Sequence, residues 1–238
     1  MGLVDKLKAT YNKNQNINNF DNSWTRQFIK NNSEKTAVFF CGWRTDKKLH
    51  KKVFKQFPHH NHLIYTLPNS LICSDLKLME KSWKKIANSI ENDIKNFKIE
   101  IIYGLSLGTS LALYCANRCK NAKKVFLGFP GDKIAPCVWE GSLTKDIAQQ
   151  IEQEEKYTYD DYSNFFKPYD HINNLSNLQG AKIKIYLAKS DDAVPYYRGK
   201  KLIKKMHSMK LSPTVKKTFL GHALGIIKSI IFTNWLTK

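Results

Sequence analysis

A serine hydroxyl is a poor nucleophile until a base takes its proton, and the base works best when an acid holds it in place. Ser106 sits in Gly104-Leu105-Ser106-Leu107-Gly108, a G-x-S-x-G pattern that is weak as a bare pentapeptide. Its setting adds weight. The apolar, β-branched run IEIIYGL (99–105) ends at this point, and an apolar helical pattern over 107–119 begins. A serine at such a strand-to-helix turn has a strained backbone, and neighbours without side chains relieve the crowding. Its hydroxyl then projects from the carboxyl edge of a sheet, over a helix N-terminus.

The base should be a histidine, and the chain offers seven. Only His222, in Gly221-His222-Ala223, follows the last expected strand, where a loop can return toward Ser106. His50 lies on an amphipathic pattern, and His59, His60 and His62 flank the start of a strand. No carboxylate or cysteine is spaced to complete a metal site with those three, so they read as surface histidines and no metal is expected. His171 lies in a long insertion and His207 on a lysine-rich helix. For the acid, Asp191 and Asp192 follow the fifth expected strand and Asp132 the fourth. Two adjacent carboxylates cannot both face one imidazole.

These residues need a frame, and the hydropathy pattern supplies one. TAVFFCGW (36–43), HLIYTL (62–67), residues 99–105, KVFLGF (124–129), KIKIYLA (182–188) and the weaker TVKKTFL (214–220) read as strands. Helical patterns cover 46–57, 76–97, 107–119, 196–209 and 223–236. The alternation predicts an α/β fold: a mostly parallel sheet of about six strands with helices on both faces. Residues 1–35 are polar and weakly patterned, and read as an N-terminal arm or short helix anchored by Trp24 and Phe28. Residues 36–238 then form the domain, with an insertion over about 131–181 placed where a small helical lid sits.

The formal charge is +19 over 238 residues, nearly all of the positive charge being lysine, with arginine only at Arg26, Arg44, Arg118 and Arg198. Arginine forks read bases and phosphates, and the lysines are spread along the whole chain, so a solvated lysine surface is expected and no specific nucleic acid. Five cysteines, Cys41, Cys73, Cys115, Cys119 and Cys137, show no metal spacing and read as free thiols in a cytoplasmic protein. The N-terminus has no apolar signal core, and no stretch is long and apolar enough to span a bilayer.

Taken in order, GLSLG, SDDAVP and GHAL resemble the nucleophile, acid and base segments of the α/β-hydrolase family over about residues 36–238. The resemblance implies that fold, trimmed at its N-terminus. It also implies Asp191 as the acid, because the family's acid stands four residues before the proline of a Val-Pro pair, here Val194-Pro195; Asp192 is the alternative. It further implies an oxyanion hole built from the backbone N–H groups of Leu107 and Trp43. CGWRTD (41–46) is similar to the His-Gly-Trp segment of small carboxylesterases, with Cys41 standing where a histidine often does. The activity that the resemblance implies is ester or thioester hydrolysis through a Ser-His-Asp triad without a cofactor, the acyl group carried by a small molecule or an acidic carrier. The aromatic cluster Tyr157, Tyr159, Tyr162, Phe165, Phe166 and Tyr169, with Pro136 and Trp139, would wall the acyl pocket or else pack the lid down. The rival class is a non-catalytic scaffold that holds nucleic acid or an anionic membrane through its lysines.

Overall fold

The structure is a computed structural model that describes residues 24–45, 47–231 and 236. Among the described residues seven strands form one sheet: β1 (Thr25–Ile29), β2 (Lys35–Phe40), β3 (Asn61–Thr66), β4 (Lys98–Leu105), β5 (Lys124–Gly128), β6 (Lys182–Ala188) and β7 (Thr214–Thr218). Their order across the sheet is β1-β3-β2-β4-β5-β6-β7. Every pairing is parallel except β1 with β3.

Eight α-helices are described: α1 (Lys51–Phe54), α2 (Leu76–Asn96), α3 (Gly108–Arg118), α4 (Ile134–Glu140), α5 (Lys145–Glu154), α6 (Tyr159–Phe166), α7 (Tyr196–Ser208) and α8 (His222–Ile231). Strand alternation feeds two cores. Val38, Phe40, Leu63, Tyr65 and Ile102 point to the face that packs against Trp83 and Ile86 of α2 and Leu111 of α3. Ala37, Phe39, Ile64, Ile101 and Tyr103 point to the face that packs against Val53 and Phe54 of α1 and Ile226 of α8. Burial on both faces is why the central strands read as unbroken apolar runs.

Two expectations change. Thr25–Ile29, expected within a loose arm or short helix, is an antiparallel edge strand, which raises the strand count from about six to seven. Its five-residue pattern is half exposed, so alternation gave little signal. What holds it is charge and stacking: Arg26 Nε sits 2.8 Å from Oδ2 of the buried Asp93, and Trp24 stacks on Tyr65. The rest of the expected arm, residues 1–23, lies outside the described residues. The amphipathic stretch 46–57 is shorter than expected: a 3-10 turn (Lys47–His50) runs into α1.

The strand order positions the site. From β2 the chain moves to one side of the sheet, to β3; from β4 it moves to the other side, to β5. In open α/β sheets the crevice outside the carboxyl ends of two such strands is where ligands bind. Here that crevice lies between the loop after β2, which carries Trp43, and the turn after β4, which carries Ser106.

Candidate active site

The turn after β4 is built on close approach. Ser106 has φ 51°, a left-handed conformation that costs a non-glycine residue about 1–2 kcal/mol. Its N–H bonds to the Gly128 carbonyl at 2.8 Å, and its carbonyl accepts from Thr109 N–H at 2.9 Å, so strand and helix clamp it from both sides. Gly104 and Gly108 are needed for space, not for a positive φ. A Cβ on Gly104 would lie 2.6 Å from Ala112 Cβ and the Gly108 carbonyl oxygen. One on Gly108 would lie 2.5 Å from the Phe40 carbonyl oxygen and 2.6 Å from that of Cys41. The first glycine lets α3 fold back onto β4, and the second lets the end of β2 cross the start of α3.

Ser106 Oγ lies 3.0 Å from His222 Nε2, and His222 Nδ1 lies 2.9 Å from Asp191 Oδ2. A carboxylate only accepts, so Nδ1 carries the hydrogen and Nε2 presents its lone pair to the serine hydroxyl. The other carboxylate oxygen of Asp191 accepts from Ala193 N–H at 3.0 Å and Val194 N–H at 2.8 Å, which fixes its rotamer. His222 opens α8 and packs edge-on against Phe129, ring centroids 5.6 Å apart.

Asp192 has a different job. Its carboxylate accepts from Ser142 Oγ at 2.9 Å, and its carbonyl accepts from Ser142 N–H at 2.7 Å. These bonds tie the acid loop to the insertion, and Asp192 lines the same cavity as His222. Asp132 pairs with Arg198 at 3.4 Å, and Arg198 also bonds Glu140 of α4.

The loop after β2 is pinned by its own hydrogen bonds. Thr45 N–H reaches the Gly42 carbonyl at 3.1 Å and Thr45 Oγ1 reaches it at 2.6 Å, while the Trp43 indole N–H reaches the Asn69 carbonyl at 3.3 Å. Trp43, Ser106, Leu107 and His222 all line one cavity of about 500 Å³. Most of the remaining wall is aliphatic, including Ile72, Ile134, Val138, Leu143 and Ile227. The insertion's aromatic cluster does not wall this cavity. Tyr162 donates to the Cys73 and Ser74 carbonyls, while Phe166 and Tyr169 pack on Trp83. Those rings press the insertion onto α2. Trp139 contacts Tyr159 and Tyr162 in the same layer.

No family model matches this chain, and no curated protein matches it. Solved structures do. The Pyrococcus furiosus esterase Pf2001 aligns with TM-score 0.60 at 14% identity, over 89% of this chain and 81% of that one. MGS-MChE2, an α/β hydrolase from a lagoon-sediment metagenome, aligns with TM-score 0.53 at 14% identity, over 90% and 93% of the two chains. This chain has the α/β-hydrolase fold. The Pyrococcus horikoshii acylaminoacyl peptidase shares it at TM-score 0.59 and 10% identity, over 90% of this chain and 39% of the longer peptidase.

Within this α/β-hydrolase frame the sequence reading passed over two residues at the cavity. Phe129 follows β5 with φ 61°, backs the His222 ring and touches Gly225, whose absent side chain makes room for it. Its position at a strand's carboxyl end is the signal that could have found it. His171, from a 3-10 turn (His171–Asn173) in the insertion, is 4% exposed and lines the cavity. Its sequence context gave no such signal. His62, expected on the surface, is buried and bonds the Phe57 carbonyl through Nε2 at 2.9 Å. Cys41, Cys73, Cys115 and Cys119 are buried and form no disulfide, with burial pushing the Cys73 thiol up to about 11. No described helix is long and apolar enough to cross a membrane.

Proposed function

We propose that this protein is a serine hydrolase that cleaves a carboxylic ester or thioester through an acyl-enzyme on Ser106. One observation carries the reading: Ser106, His222 and Asp191 form a single hydrogen-bonded line, 3.0 Å and 2.9 Å, at the wall of an apolar cavity.

In this reading His222 Nε2 takes the hydroxyl proton as Ser106 Oγ attacks the acyl carbonyl. The Leu107 and Trp43 backbone N–H groups receive the oxygen that becomes negative, a contribution on the order of 3 kcal/mol per donor. The imidazolium hands its proton to the departing alcohol or thiol. Water then attacks the acyl-enzyme with His222 as base again, and the acid leaves. Asp191 holds the imidazole in its Nδ1–H tautomer and stabilises the cation that forms. The apolar wall suits an uncharged acyl chain. The lysine-rich surface steers an anionic acyl donor, an acyl group on an acidic carrier or on coenzyme A, toward the crevice.

A fluorophosphonate probe tests the proposal. It should label the wild type and leave Ser106→Ala untouched, and hydrolysis of esters and thioesters across a chain-length series should vanish in the same variant. Labelling that survives Ser106→Ala sinks the reading. Steep salt-dependent binding of polyanions with no labelling at all would favour the scaffold class instead. Steering is tested separately: kcat/KM for an acyl-coenzyme A should fall as salt rises, while that for a neutral ester should not.

A further inference from the structure

The helix that opens with His222 has an apolar face that the fold leaves in water. Gly225, Ile226, Ser229 and Ile230 of α8 turn inward and are buried. Leu224, Ile227 and Ile231 recur at i, i+3 and i+7 and so share one face of the helix. Leu224 is 40% exposed and Ile231 41%. Phe219, in the loop that leads into α8, is 76% exposed. Among the described residues six large apolar side chains are exposed, and three of them fall within 219–231. Single exposed apolar residues are ordinary, whereas a cluster of them marks a surface that meets a partner. This cluster also reaches the cavity, because Ala223, Leu224 and Ile227 form part of its wall.

The charge around the cluster decides what the partner is. Lys189 Nζ lies 4.0 Å from the centre of the Phe219 ring, and Lys228 stands at i+4 from Leu224. From Ala193 to Lys238 the sequence holds no Asp or Glu. The carboxylate of Asp192, the last acidic residue, accepts from Ser142 on the insertion side. Two copies of this chain meeting through α8 would bring like charges together. A nucleic acid is served by aromatic platforms and arginine forks, but the α8 face is aliphatic and Arg198 is the last arginine. Aliphatic side chains flanked by lysines match a surface that is negative outside and apolar beneath.

We propose that the exposed face of α8, with Phe219, docks on an anionic bilayer, and that the ester hydrolysed is a lipid drawn from it. The acyl chain passes over Leu224 and Ile227 into the cavity and stays on apolar surface throughout. The choice of substrate rests on Ser106 being the nucleophile; the docking does not.

The test floats the full chain with vesicles of phosphatidylcholine, alone or with about 30% phosphatidylglycerol. Wild type should bind the anionic vesicles at least about tenfold better than the neutral ones, and high salt should release it. Phe219→Ser/Ile231→Ser and Lys189→Glu/Lys228→Glu should each lose at least about tenfold of that binding. None of these four residues lines the cavity, so turnover of a short soluble ester and fluorophosphonate labelling should stay near wild type. Turnover of a long-chain ester held in the anionic vesicles should fall with the binding. A wild type that stays off both vesicles, or variants that bind as it does, overturns the proposal. So does a dimer that Phe219→Ser/Ile231→Ser splits, which makes a second copy the occupant. Binding that appears only after residues 1–23 are removed overturns it too, in favour of that segment. If the variants fail to fold, the wild type decides: its long-chain turnover should favour anionic over neutral vesicles at low salt, and no preference overturns the docking. Ser106→Ala should float as wild type does. Docking without turnover of any ester defeats the Ser106 reading and leaves the docking, whereas soluble-ester turnover without docking defeats this inference alone.

Discussion

The two walls of the cavity are made in different ways. On the sheet side, backbone contacts set the geometry: Ser106 is clamped between Gly128 and Thr109, and carbonyls of the β2 end press on Gly108. On the insertion side, side-chain packing sets it: Tyr162, Phe166 and Tyr169 pin the segment to α2, and aliphatic groups of α4 are left facing the cavity. A wall built from backbone tolerates few residues, because each contact asks for a glycine or one left-handed turn. A wall built from side-chain packing tolerates many, and it can change its ligand without changing its fold. The first is suited to hold reacting groups; the second is suited to set what they act on.

The acid loop spans both walls, and its neighbouring aspartates separate them best. Asp191→Asn offers Nδ1 of His222 the wrong partner and should lower kcat by on the order of 10⁴-fold with little change in KM. Asp192→Asn loosens the tie to Ser142 and removes a charge from the cavity wall, and should lower kcat/KM by less than about tenfold, read from steady-state kinetics of the same ester. Equal losses in both variants would erase the distinction between the walls. Gly108→Ala comes next. Its methyl group meets the carbonyls of Phe40 and Cys41, so it should cost about 2–3 kcal/mol in urea unfolding. It should also depress kcat, because the carbonyls it pushes belong to the chain leading to Trp43.

The same difference explains what could be read from the sequence. Ser106, His222 and the acid pair were legible because each stands at a strand's carboxyl end, and strands announce themselves by apolar runs. The choice of Asp191 over Asp192 came from the resemblance; in the structure the amides of Ala193 and Val194 and Nδ1 of His222 bond the first carboxylate, and Ser142 bonds the second. Two things stayed hidden. Which face of the insertion meets the cavity is a question of tertiary docking, and a cluster of rings looks the same facing a ligand or facing α2. His171 was hidden because a buried histidine and a solvated one have identical letters, and its neighbours Asp170 and Asn173 are as polar as any surface turn.

Acidity gives a further handle on the insertion side. Burial holds His171 near 3 against an ordinary 6.5, so below pH 6.5 the unfolded chain takes up a proton that the fold refuses, and stability falls as pH falls. Asp170 runs the other way: burial raises its carboxyl to about 6 from 3.8, so its native form is favoured when protonated and stability falls as pH rises through that window. Between those limits the two slopes oppose each other. Asp170→Asn keeps an acceptor for the Ile134 N–H, a bond of 2.8 Å, and removes the charge. Urea unfolding should then show a gain of about 2–3 kcal/mol at pH 7 and an unmasked fall of about 1.4 kcal/mol per pH unit below 6. A variant whose pH profile overlays the wild type would show that Asp170 is not held out of water as described. Val138→Trp, which fills cavity on this same side, should cost about tenfold in kcat/KM for long acyl chains relative to short ones, while fluorophosphonate labelling of Ser106 is kept.

The smallest change is aimed at the packing behind the insertion. Tyr162 is 1% exposed, and its hydroxyl donates at the Cys73 and Ser74 carbonyls, a polar link between α6 and the segment before α2. Tyr162→Phe keeps the ring and deletes that bond, at a net cost of about 1 kcal/mol, or roughly 2–4 °C in Tm for a domain of this size. If the rings hold the insertion from behind and take no part in the cavity, this variant should melt earlier yet keep the wild-type chain-length profile. A profile that shifts with Tyr162→Phe would mean that the ring layer sets the shape of the cavity as well as its attachment, and the two walls would then be one mechanical unit.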